Sequence, residues 1–85
     1  MSEFKAKILV NLKPSIKDVK GLTLKGAVES FIHIDNLNCR VGNFYTLNFS
    51  AETIDEARKI AEQISTEILS NDVIEMYEIL GIEER

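Results

Sequence analysis

The chain has 85 residues, 45% hydrophobic and 28% charged, with a formal net charge of −4. That is the balance of one globular domain, too apolar for disorder and too short for a second core. No apolar run has the length of a membrane span. The opening Met1-Ser2-Glu3-Phe4-Lys5 mixes charge among its apolar residues where a secretory leader would cluster them, so the expectation is a cytoplasmic protein that crosses no membrane.

The single cysteine, Cys39, excludes an internal disulfide and reads as a small buried hydrophobe on a strand. Residues 1–43 hold seven Lys/Arg against four Asp/Glu, and residues 44–85 hold three against ten. Composition alone does not turn this into a bipolar surface, because the halves of a mixed fold interleave. The overall acidity disfavours nucleic acid and favours protein partners. A domain this small has a modest core, which makes self-association an expectation.

Along the chain, Phe4, Ala6, Ile8, Val10 and Leu12 alternate with more polar neighbours, the period of a half-buried strand. Pro14 ends it, since proline has no amide hydrogen for the ladder, and 15–20 reads as a loop. Leu24, Ala27, Val28 and Phe31 then fall at i, i+3, i+4 and i+7, one stripe of a helix. After a polar connection around His33, the spacing predicts a β-hairpin over 37–49, with Leu37, Cys39 and Val41 on one arm, Tyr45, Leu47 and Phe49 on the other, and Gly42-Asn43 as the turn. Thr53 and Glu56 form a capping box that opens a second helix. Its inward stripe is Ile54, Ala57, Ile60, Ala61, Ile64 and Ile68, and Asn71-Asp72 stops it. A last strand follows over 73–82, alternating less cleanly.

Strand, helix, strand, strand, helix, strand is the order of an α+β ferredoxin-like two-layer sandwich: a four-stranded antiparallel sheet with two helices on one face. The open face would carry Leu9, Phe44, Ile74 and Met76, more apolar than a solvated sheet face usually is, and so a candidate self-association surface.

No catalytic constellation is visible. Catalysis needs a nucleophile beside a base, paired groups of opposed acidity, or a metal cluster. His33 reads as a solvated loop residue. The segment from Lys20 to Gly26 lacks the Gly-Lys-Ser/Thr ending of a phosphate loop. The strand from Phe44 to Phe49 lacks the interleaved cations of an RNA-recognition module, and the loop after the first strand lacks the arginine of an acylphosphatase-like site. An amino-acid-binding regulatory domain of the same topology stays open.

Three stretches resemble one family, the PurS subunit of phosphoribosylformylglycinamidine synthase. The first is Val10-Asn11-Leu12-Lys13-Pro14 followed by Asp18, Gly21 and Ala27. The second is Arg40-Val41-Gly42-Asn43, and the third runs from Glu67 to Ile79 through Ser70-Asn71-Asp72-Val73-Ile74-Glu75. The chain departs from the family's pattern at Ser15, Val19-Lys20, Phe31-Ile32, Asn43 and Asp72. The resemblance implies a non-catalytic subunit that binds no cofactor or metal itself. It would bridge a synthetase (PurL-type) subunit, which uses ATP, and a glutaminase (PurQ-type) subunit, which releases ammonia from glutamine, and would form a homodimer or higher homo-oligomer. Lys13, Pro14, Asp18, Gly21, Arg40 and Gly42 are the matched positions and the candidate partner contacts. Lys13 and Arg40 lead, because a charge near a strand end can steer a neighbouring subunit.

Overall fold

The computed structural model describes all residues, Met1–Arg85. The elements are strand β1 (Ser2–Leu12), helix α1 (Val19–Phe31), strand β2 (Gly42–Ala51), helix α2 (Ile54–Ile64) with a π-helical turn (Ser65–Leu69), and strand β3 (Glu75–Glu84). The sheet has three strands, not four, in the order β2-β1-β3, with both pairings antiparallel.

The missing strand corrects the hairpin reading. Residues 37–41 pair with no strand, and Gly42 and Asn43 make no turn: they lie opposite Asn11 and Val10 and begin β2. The alternation that suggested an arm of a hairpin has another cause. Leu37, Cys39 and Val41 are half-buried while Asn38 and Arg40 are exposed. An extended backbone lying along the foot of a helix shows the same period of two as a strand in a sheet.

Phe4, Ala6, Ile8 and Val10 of the central strand are buried, as the alternation of β1 predicts, beneath Ala57 and Ala61 of α2. The alanines let the helix come close to the sheet, and Tyr45, Leu47, Phe49, Tyr77, Ile79 and Ile82 close the flanks of the core. Thr53 caps α2 as expected, its hydroxyl accepting from the Glu56 amide at 3.1 Å, with Asp55 and Glu56 placed in the first turn where the helix dipole favours acids.

Two local irregularities shift the outer elements. At its end α2 widens into the π-helical turn, in which the Ser70 amide donates to the Ser65 carbonyl at 3.0 Å. The buried Ser65 hydroxyl donates to the Ala61 carbonyl at 2.7 Å. This turn brings Leu69 onto the core and leaves Ile68 at 76% exposure, outside the stripe predicted for it. On β3, the register slips between Lys7 and Ile8, so Leu80 is an extra residue and Ile79 and Ile82 both face inward. That bulge is why the strand alternates poorly in sequence.

Only α2 packs on the sheet; α1 meets the rest of the molecule at its foot. The stripe predicted for α1 exists, but it does not face the core of its own chain: Leu24 is 47% exposed and Phe31 91%. The radius of gyration is 16.4 Å, against about 12 Å for a compact domain of this length. The long dimension of 52 Å matches a sheet about 33 Å long continued by a helix about 20 Å long. Residues 13–41 thus form an arm that leaves the sheet beside the end of β1 and returns to it at the start of β2. No helix is long and apolar enough to cross a membrane.

Candidate functional site

The six matched positions converge at the foot of this arm, where β1 leaves the sheet and β2 re-enters it. Pro14 follows Lys13 into a turn closed by the Ile16 amide on the Lys13 carbonyl at 2.9 Å. Lys13 continues the ladder through its own amide, which donates to the Ile74 carbonyl at 2.8 Å.

Asp18 is the knot. Its backbone is extended at φ −99°, ψ 93°, the conformation of a residue that starts a helix from outside it. One carboxylate oxygen accepts from the Gly21 amide at 2.8 Å, capping α1, and the other accepts from the Val41 amide at 2.8 Å. A buried carboxylate therefore ties the outgoing and returning limbs of the arm together across 23 residues. The Val41 amide, and after it the Gly21 amide, hold the acid below its ordinary pKa; burial opposes them, and the Arg40 and Lys20 charges assist.

Arg40 completes the fixing. Its Nη2 donates to the carbonyls of Leu12 and Lys13, both at 3.2 Å, and its Nε lies 4.0 Å from Asp18. The guanidinium thus satisfies the last carbonyl of β1 and the one after it, while part of it stays open to solvent. Gly21 is required by closeness: a Cβ there would collide with the Cys39 carbonyl oxygen and lie 2.7 Å from the Asp18 carboxylate. A Cβ on Gly42 would run into the Asn11 side chain and stand 2.8 Å from the Val10 carbonyl.

Two grooves adjoin the foot. One, of about 320 Å³, is lined by Val10, Leu12, Lys20, Val41 and Glu75 among others. Another, of about 530 Å³, runs between Asn11, Pro14, Asn38, Arg40 and Met76. No three His, Cys, Asp or Glu side chains gather into a metal-binding group. His33 is exposed near Asp35, 3.7 Å away, and Cys39 is a half-buried free thiol off the sheet, not on it. What the foot does is mechanical: it fixes the direction of an arm.

The face of the sheet away from α2 is a second surface. Leu9 and Phe44 are direct register partners, and Met76 sits opposite Asn11. Ile74 lies in the turn before β3, its carbonyl accepting from the Lys13 amide at 2.8 Å. Phe44, Ile74 and Met76 are 56%, 37% and 50% exposed. Leu80, 49% exposed, is the extra residue of the bulge and lies outside the core. The sequence reading missed the Asp18–Val41 bond, for which no local pattern gives a signal.

The sequence pattern of the PurS family, described as phosphoribosylformylglycinamidine (FGAM) synthase, matches residues 5–83. No curated protein matches the chain significantly. Among solved structures, PurS of Thermus thermophilus is 29% identical with a TM-score of 0.88, over 98% of both chains. A chain of PurLQS from Thermotoga maritima is 27% identical with a TM-score of 0.85, over 100% of both. PurS of B. subtilis is 26% identical with a TM-score of 0.79, over 95% of this chain and 99% of that one. A sequence pattern that spans nearly all of the molecule, on a fold shared from end to end, assigns the chain to the PurS family of FGAM synthase.

Proposed function

We propose that this chain is the small, non-catalytic subunit of FGAM synthase in purine biosynthesis, joining a synthetase of the PurL type to a glutaminase of the PurQ type and supporting the passage of ammonia between them. The observation that carries this reading is the full-length likeness to a chain of the PurLQS assembly. The site agrees with such a role. The side chains of Asp18 and Arg40 are spent on backbone amides and carbonyls, which positions surfaces. ATP and glutamine belong to the partner subunits in this reading, the complex works in the cytoplasm, and the apolar sheet face around Leu9 and Phe44 joins copies of the chain to one another. A free-standing amino-acid-binding domain draws no support from the family match.

The test is reconstitution. With the synthetase and glutaminase subunits supplied, amidine formation from glutamine should appear only when this chain is added, while formation from added ammonium salt should need only the synthetase. Glutamine-driven turnover at the same rate without the chain would overturn the proposal.

A further inference from the structure

One part of the Arg40 guanidinium is unspent. Its Nη2 is committed to the carbonyls of Leu12 and Lys13, both at 3.2 Å, and its Nε faces Asp18 at 4.0 Å, but Nη1 donates to nothing in the chain. Arg40 lines the groove of about 530 Å³ together with Asn11, Leu12, Pro14, Asn38 and Met76. The side-chain amides of Asn11 and Asn38 take part in no hydrogen bond of the chain either, so three residues with unspent donors border one space.

Their places are set from behind. Two backbone carbonyls and a carboxylate hold the guanidinium, which removes in advance much of the side-chain freedom that an arginine loses on binding. Asn11 lies against Gly42, where a Cβ would run into its Oδ1. The bare glycine thus leaves Asn11 room to stay at the groove.

Charge and shape select the occupant. No Asp or Glu lines this groove, whereas Asp18 and Glu75 line its neighbour, in a chain of net charge −4. One guanidinium balances one carboxylate. A phosphate, with about two negative charges, would call for a second cation, and no lysine lines the groove. Leu12, Pro14 and Met76 give an apolar wall to the stem of the acid. The groove is open, with the Arg40 side chain 37% exposed and Met76 50%. A small free carboxylate there would depend on one solvent-screened ion pair, worth at most about fivefold in affinity. An acid on a protein adds the contacts of its neighbours, so the occupant is carried by a protein.

We propose that the Arg40 groove receives an acidic side chain, Asp or Glu, of a partner subunit: Nη1 of Arg40 and the Asn38 amide donate to the carboxylate, and Pro14 and Met76 flank its stem. This rests on the assembly role proposed above and assigns one contact within it.

Asn38 gives the cleanest test, because it is exposed and its side chain bonds to nothing in its own chain. Asn38→Asp sets a carboxylate beside the incoming one and should weaken binding of the full chain to the synthetase and glutaminase subunits by about tenfold or more. Asn38→Lys adds a cation and should tighten binding. Both effects should shrink as salt rises from about 0.05 to about 0.5 M, over which charges are screened at progressively shorter range. Opposite signs at one exposed position are a response that a merely structural role would not give. Sedimentation of the labelled chain with the two subunits measures each affinity. Variants that bind as tightly as the parent overturn the inference and leave the assembly role standing, whereas a parent chain that binds neither subunit overturns both. A change confined to the homo-oligomer would give the groove to another copy of this chain. A Tm raised by sodium glutamate over sodium chloride, in the parent but not in Asn38→Asp, would give it to a free carboxylate. Either result overturns the partner contact.

Discussion

Ile8→Ala should lower the unfolding free energy by about 2–5 kcal/mol. Ile8 is fully buried at the middle of the central strand, opposite Tyr45 on one side and Ile79 on the other, and beneath Ala61 of α2. The alanines that face it have no longer side chain to move into the space, so the cavity would stay open. For a domain of this size a loss of 3 kcal/mol corresponds to a Tm lower by roughly 12–24 °C. A fold with so few buried residues has little reserve against it. Thermal unfolding at fixed protein concentration measures the effect, the concentration being held because assembly itself adds stability. Phe31→Ala removes a larger apolar group, yet under conditions where the chain is dissociated it should change stability by no more than about 0.5 kcal/mol, because Phe31 touches almost nothing in its own chain.

Gly21→Val should release the arm. The new branched side chain would meet the Cys39 carbonyl oxygen and the Asp18 carboxylate, and the first of these is backbone that cannot turn aside. The returning limb must shift, which strains the Asp18–Val41 bond and costs about 1–3 kcal/mol as overpacking does. Gly26→Ala, in the same helix with open space around it, should be neutral or stabilise the helix by up to about 1 kcal/mol. The same clamp should show in the pH dependence of stability. Because the folded acid of Asp18 is held below its unfolded value of about 3.9, its contribution is complete above that pH and is lost as the pH falls through the lower, folded value. Acid titration of stability should therefore fall less steeply below pH 4 for Asp18→Asn than for the parent chain. An equal slope in both would show that the carboxylate carries no stability.

Much of this molecule was legible in local pattern. The alternation of β1 and the Thr53 cap of α2 depend on residues a few positions apart, and each appears where the spacing puts it. Leu9, Phe44 and Met76 likewise share one side of the sheet, as strand parity gives. The arm was not legible. Leu24, Ala27 and Phe31 have the spacing of a core-facing helix, and nothing in spacing says whose surface will receive them. Residues 37–41 alternate because they lie along α1, yet they read as a strand because burial on one side of an extended chain looks alike in both settings. The Asp18–Val41 bond, the π-helical turn and the bulge at Leu80 arise from contacts distant in sequence or from one-residue slips, which periodicity averages away. Arg40 was singled out as a free charge for partners, and much of its hydrogen bonding is spent on its own chain.

The central claim is that the molecule works by presenting surfaces that hold other proteins together. The composition of the particle formed on mixing the chain with its synthetase and glutaminase subunits, weighed by light scattering during size-exclusion chromatography, tests it most directly. The account predicts one particle that contains all three proteins, with more than one copy of this chain. A chain that elutes alone, while the other two behave as they do without it, would contradict it.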